Sequence, residues 1–331
     1  VRQKILDLLS GKKVDSAPAF SGLIHVTAEG LQREGLKFSD VHKDARKMAK
    51  AAASTFKLSG LPSAALPLDM YVEAEALGAE INFREDMEFE FPLVRKAAFK
   101  SVKEITTEAL ESAKIMKQGR IKLVCDAIKL LKEDVGNDVV ISGVLPGPYT
   151  LLLLIVEAGK MFIEMKKEPA AITEALTHLV SLLAQVGMDY RNAGADFITI
   201  HDMGGSPAFI GPARYEQFVL PAEKLLIENL PKPRVLSVCG NVTPSLSLLA
   251  QAGADAISID QTVDLTTARS ALKNTLLFGN LDPVQTLYRG EEAGIAESVL
   301  GARKAGVDAV WPGCDLIVQT PIQNIQSMKK A

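Results

Sequence analysis

One phrase occurs three times in the second half of the chain, and it limits the fold more than any other feature. AGADFITIHD (Ala193 to Asp202), AGADAISIDQ (Ala252 to Gln261) and AGVDAVWPGCD (Ala305 to Asp315) share one layout. Each opens on Ala-Gly-x-Asp after a helical pattern, runs through apolar β-formers and ends in polar residues. A Gly at that point suits a helix C-terminus, and the apolar run suits a parallel strand buried on both faces. VLSVCG and TLLFGN supply two further short strands, with helical stretches such as PSLSLLAQAG and ESVLGARKAG in between. The first half adds SAPAF (16–20), SAALPLD (63–69) and DVVISGVLPG (138–147). Eight strands alternating with helices predict an α/β fold of the (β/α)₈ TIM-barrel class. No G-x-G-x-x-G follows a strand, so a doubly wound sheet would lack its usual ligand motif.

The opening VRQKILDLLSGKKVD reads as a short amphipathic helix with Ile5, Leu8 and Leu9 on one face, an extension ahead of the first strand. The charged stretch from Arg84 to Lys122 is too long for a plain loop, and reads as an excursion plus a helix capping one barrel end. No Gly/Ser or Pro linker divides the chain, which predicts a single domain over 1–331. At 47% hydrophobic, 23% charged and net charge −3, the composition is that of a soluble globular protein. The weakly acidic balance, five Tyr and one Trp argue against a nucleic-acid or anionic-membrane surface. The most apolar run, TLLLLIVEAG, is about half the length that spans a bilayer. Three cysteines, Cys125, Cys239 and Cys314, form no secreted disulfide framework and fit a reducing cytoplasm.

In a barrel of this class the chemistry sits where strands end and βα loops begin. Those ends carry Asp69, the segment Pro146 to Tyr149, His201 with Asp202, and Cys239 with Asn241. They also carry Asp260 with Gln261, Asn280 with Asp282, and Cys314 with Asp315. Two cysteines distant in sequence therefore fall on one rim, as the contributions of the fifth and eighth strands. Cys125, in KLVCDAIKLL, falls on an apolar helical stripe and reads as core. His42 and His178 read as solvated positions on polar helix faces.

The phrases CGNVTPSLSLLAQAGADAISID, FGNLDP and PGCDLIVQTPIQNI resemble the uroporphyrinogen decarboxylase superfamily, specifically its methylcobamide:coenzyme M methyltransferase-like branch. LDMYVEAEALGAEI around Asp69 and GPYTLL around Pro148 fit the same superfamily, so the likeness spans nearly the whole chain. Decarboxylases of the superfamily carry an arginine-rich phrase near the N-terminus, whereas FSGLIHVTAEG here contains no Arg. That difference and the paired cysteines favour the methyltransferases.

The resemblance implies a zinc site of the form His-x-Cys with a later Cys. This chain has Ser237-Val238-Cys239 and Cys314, so the histidine is missing and Ser, a poor zinc ligand, stands in its place. His201, at the end of the neighbouring strand, is the expected third ligand, giving a metal set of His201, Cys239 and Cys314. His25 is the reserve, and Asp260 is a further candidate beside the two cysteines. Asp69, Tyr149, Asp202, Asn241, Gln261, Asn280 and His25 are expected to face substrate or corrinoid. The implied activity is methyl transfer between a methylcobalamin-type corrinoid and a small thiol such as coenzyme M. No D-x-H-x-x-G phrase occurs, so the corrinoid is expected on a separate partner protein. The alternative is the reverse direction, from a methoxy, methylamine or thioether donor to Co(I). A porphyrinogen-type decarboxylase and a non-catalytic relative are the outlying readings.

Overall fold

A computed structural model gives the structure of the protein and describes residues 1–111, 115 and 117–331. In chain order the strands are β1 (Ser63–Leu66), β2 (Glu80–Asn82), β3 (Leu93–Lys96), β4 (Val140–Pro146) and β5 (Phe197–Asp202). They continue as β6 (Arg234–Val238), β7 (Ala256–Ile259) and β8 (Leu276–Phe278). Six of them form one parallel sheet in the order β1-β4-β5-β6-β7-β8. The ring continues through two irregular staves. Residues 309–312 bridge to Phe278 and Leu281, Ala19 bridges to Val310, and the Ser21 amide donates to Ser63 Oγ on β1. The fold is the anticipated (β/α)₈ arrangement, but the first and eighth predicted strands are reduced to single bridges. Pro18 and Pro312 lie in those staves, and each removes a ladder donor.

The recurring Ala-Gly-x-Asp phrase acquires a physical meaning. Its glycines, Gly194, Gly253 and Gly306, all adopt left-handed backbone (φ 119, 80 and 90°) where a helical segment ends. Its aspartates, Asp196, Asp255 and Asp308, accept the backbone N–H of Ile141, Arg234 and Leu277 at 2.8–2.9 Å. Each carboxylate thus pins the start of the strand next door, and each also takes an arginine: Arg2, Arg234 or Arg269.

Side-chain alternation along the strands builds the barrel interior in layers. At the bottom, Val140, Phe197, Val235, Ala256, Phe278, Ala309 and Trp311 pack with Phe20 and with Ile5, Leu8 and Leu9. The helix Arg2–Leu9 is thus the plug at the N-terminal end of the barrel. Two residues further along the strands the interior turns to hydroxyls, Ser142, Thr199, Ser237 and Ser258, all buried. Ser142 Oγ and Thr199 Oγ1 are 2.8 Å apart. One more step along β5 and β6 reaches His201 and Cys239.

The excursion after β1 contains the antiparallel pair β2–β3, the short 3₁₀ turn Val102–Glu104 and the helix Ile121–Val135. Residues 112–114 and 116 of that excursion lie outside the described residues. Among the described residues one helix, Pro169–Ala193, has the length and hydropathy of a membrane span. Half of that stretch is buried, against the helices Ile121–Val135, Pro148–Ile155 and Leu220–Asn229, which is the setting of a core helix.

Candidate metal centre

His201, Cys239 and Cys314 come together at the C-terminal mouth of the barrel. Their ligand atoms all lie within 4.8 Å of one another. His201, next to last in β5, faces inward, and in the ladder it stands directly beside Ser237 of β6. An imidazole on β5 therefore occupies the level that position 237 would supply, displaced by one strand spacing of about 4.8 Å. Cys239 follows β6, and Cys314 follows the last stave after Pro312 and Gly313. The sulfurs are 3.4 Å apart, far beyond disulfide length. Two thiolates on one tetrahedral zinc, at about 2.3 Å each, sit about 3.8 Å apart.

The donor set suits a cation. His201 is fully buried, and neither ring nitrogen has a hydrogen-bond partner among the described residues. Asp315 Oδ2 is 3.4 Å from His201 Nε2, close enough to act through charge but misaligned for a hydrogen bond. Burial pulls the imidazole pKa down, yet the Asp315 carboxylate and Cys314 outweigh it and push it up to about 10. Cys314 is lowered to about 6, first by the hydrogen bond from the Cys239 thiol and, against burial, by His201. Cys239, left as the donor of that pair and buried, is raised. A thiolate, a second thiol and a carboxylate around one unpartnered imidazole form a pocket that favours positive charge. Three such ligands leave a fourth position open on a tetrahedral metal.

The loops around the ligands are tightly braced. Gly240, at φ 82°, turns the chain directly after Cys239, and a Cβ there would lie 2.8 Å from Ala208 Cβ. A Cβ at Gly313 would lie 2.6 Å from Gln261 Oε1, so this glycine lets the Cys314 loop rest on Gln261. Asp260 Oδ2 accepts from the Gly240 amide at 2.9 Å, and Oδ1 accepts from Thr262 N and Oγ1. Both oxygens have donors, so Asp260 braces the Cys239 turn and is not among the gathered ligand atoms. Asn280 Nδ2 in turn donates to the carbonyls of Asp260 and Val263. Asn241 is exposed, its side-chain oxygen accepting from the Thr243 amide.

Several expected mouth residues are placed elsewhere. Asp202 points outward, because it is one residue beyond inward-facing His201, and its Oδ1 accepts from Thr150 Oγ1 and Gly205 N. Tyr149 is fully buried under the helices, its hydroxyl 3.9 Å from Met165 Sδ. Asp69 accepts from Arg120 at 2.7 and 3.1 Å and is bonded to His42 Nδ1 at 2.7 Å. Burial would raise its pKa, but Arg120 and His42 outweigh it and hold the carboxyl well below the usual range. His42 is accordingly buried in this network and not solvated. His178 is half-buried on its helix, near Glu174. His25 is buried with both ring nitrogens on backbone carbonyls, those of Leu23 (2.6 Å) and Ser63 (3.0 Å), which removes it as a ligand. Cys125 is half-buried at the core edge, its thiol pushed up to about 11 mainly by burial.

Sequence reasoning overlooked Thr150 and Ser206. Ser206 Oγ donates to the Cys239 carbonyl at 2.5 Å. The phrase HDMGGS was the available signal for Ser206. A surface cavity of about 720 Å³ lies at the opposite end among Leu9, Lys232, Arg269 and Asp308, where strands start. Barrel chemistry does not occur at that end.

Comparison with known proteins identifies the family. The uroporphyrinogen decarboxylase (URO-D) family matches residues 1–331. Methylcobamide:CoM methyltransferase MtbA of Methanosarcina acetivorans is 31% identical, over 99% of this chain and 96% of that protein. A uroporphyrinogen decarboxylase of Thermodesulfovibrio yellowstonii is 28% identical over 89% of this chain and 86% of its own length. The solved structure of a methyltransferase from Methanosarcina mazei superposes with a TM-score of 0.93 and 28% identity, covering 99% of this chain and 96% of that one. The chain belongs to the uroporphyrinogen decarboxylase family, on its methyltransferase branch.

Proposed function

We propose that this single-domain, cytoplasmic methyltransferase uses zinc held by His201, Cys239 and Cys314 to move a methyl group between a corrinoid and a small thiol such as coenzyme M. The observation that carries the reading is the convergence of one imidazole and two sulfurs within 4.8 Å, with the imidazole fully buried and unpartnered. When bound, zinc with an open fourth position would hold a substrate thiol as its thiolate near neutral pH. The chain's own residues set up that exchange. Cys239 and Cys314 supply negative donors, His201 supplies a neutral one, and Asp315 compensates charge beside it. The Asp260 and Ser206 contacts fix the loop on which Cys239 rides. The corrinoid would be presented over the barrel mouth by a separate protein, and the small thiol would enter the same opening.

Support for the thiol direction comes from relatives named for coenzyme M, among them a methylated-thiol–coenzyme M methyltransferase of Methanosarcina mazei at 26% identity. The test has two parts. Purified protein from zinc-replete medium should carry about one zinc per chain. Mixed with methylcobalamin and coenzyme M it should demethylate the corrinoid, seen as conversion of methyl-Co(III) to reduced cobalt. Activity only with a methoxy or methylamine donor and Co(I) would reverse the direction. No stoichiometric zinc would refute the reading.

A further inference from the structure

Phe209 is the most exposed aromatic side chain among the described residues, at 67%, and it stands beside the candidate metal centre. A single exposed apolar side chain is ordinary. The position of this one is not. It lies on the helical turn Pro207–Ile210 that follows β5, and that turn is fastened to the loop after β6. Ser206 Oγ donates to the Cys239 carbonyl and accepts from the Ala208 amide at 3.2 Å. The Cβ that Gly240 lacks would lie 3.9 Å from Phe209 Cε2 and Cζ, so the phenyl edge borders the residue directly after Cys239. The same loop starts with Met203, two residues after His201, packed against Ala65, Met70 and Val144. One loop therefore lays apolar surface beside both His201 and Cys239.

We infer that Phe209 is a positioning residue for the corrinoid, its exposed ring forming the apolar contact for one edge of the corrin macrocycle. The inference rests on the methyl-transfer reading above. In that transfer the substrate sulfur bonds to the methyl carbon, the Co–C bond breaks, and its electron pair stays on cobalt as Co(I). The reacting atoms must meet in line at about 3–3.5 Å. Cobalt lies at the centre of a broad macrocycle, so a methyl delivered to the open position spreads the ring's edge over the loops that flank the ligands. Phe209 is the exposed apolar side chain beside the Cys239 turn. Corrin edges carry methyl groups and the methylenes of their side chains, which gain by leaving water against a phenyl face. Ser206 and Gly240 hold that phenyl at a fixed place relative to Cys239, which turns an apolar contact into alignment of methyl with sulfur.

Equilibrium dialysis of methylcobalamin measures the contact without turnover. Phe209→Ala should bind methylcobalamin about tenfold more weakly, as for an aromatic anchor cut back in an interface. Phe209→Trp, which keeps an aromatic face, should stay within about threefold of the parent. In turnover at saturating coenzyme M, kcat/KM for methylcobalamin should fall in Phe209→Ala by the factor seen in dialysis. The KM for coenzyme M and the zinc content should stay at parent values. Parent affinity in Phe209→Ala, equal losses in both variants, or a parent that does not bind methylcobalamin would each overturn the inference. So would a parent that is dimeric by light scattering beside a monomeric Phe209→Ala of unchanged methylcobalamin affinity, since the ring would then pack a second copy. A parent without zinc would refute the metal reading, and dialysis of that same protein would still decide the role of Phe209.

Discussion

The lateral pairing of His201 with Ser237 gives the most searching prediction: the imidazole can be moved one strand over. His201→Ser removes one of the three proposed protein ligands. Zinc bound by four protein ligands is held by about 10–16 kcal/mol, so one ligand contributes about 3 kcal/mol, or roughly a hundredfold in affinity. His201→Ser should therefore bind zinc about a hundredfold more weakly. Adding Ser237→His in the same chain puts an imidazole on β6, two residues before Cys239, at the position paired with residue 201. The exchange conserves volume within the layer, because the serine at 201 vacates the space beside the ring that enters at 237. The double variant should recover to within about tenfold of the parent, the residue reflecting imperfect repacking of a buried position. Ser237→His alone should add little, since with His201 in place no space is vacated beside it for the new ring. The assay is competition for zinc with a chromophoric chelator, with a melting curve for each variant to confirm folding. Parent-like zinc affinity in His201→Ser would refute the assignment. Failure of the double variant to recover, when folded, would refute the argument from register.

Further outcomes follow from neighbouring contacts. Cys239→Ser and Cys314→Ser should each lose stoichiometric zinc, whereas Cys125→Ala, at the core edge, should keep it; elemental analysis distinguishes these results. In zinc-free protein, Cys314 should be alkylated by iodoacetamide down to about pH 6, because its lowered pKa keeps it a thiolate there, and zinc should protect it. Peptide mapping that shows Cys314 unreactive below about pH 8.5, the ordinary thiol value, would count against it. Asp69→Ala leaves the buried Arg120 with only the part-exposed Glu75 as a charged partner and should cost about 3 kcal/mol in urea unfolding, with zinc retained. The folded-state pKa of Asp69 is depressed, so its contribution should be fully present above about pH 4 and fade as pH falls further. Equal urea midpoints for parent and variant at neutral pH would contradict that role.

Local pattern alone carried a good deal of this protein. The repeated Ala-Gly-x-Asp phrase marked three helix ends and the strands after them, because glycine's left-handed backbone and an apolar run are properties of a few adjacent residues. Cys239 and Cys314 were legible as rim residues for the same reason: each follows a strand, and a barrel gathers strand ends. Other features depend on contacts that no short segment encodes. Asp69 is claimed by Arg120, 51 positions away, and His42 is buried with it. Asp202 and Tyr149 face the helices because a strand end next to an inward side chain must point outward, and a helix start covers it. The missing histidine was visible as an absence at Ser237, but its replacement is defined by the register between β5 and β6. Register is a relation between strands far apart in the chain. The tertiary structure therefore decided that an imidazole on β5 stands within 4.8 Å of the two sulfurs.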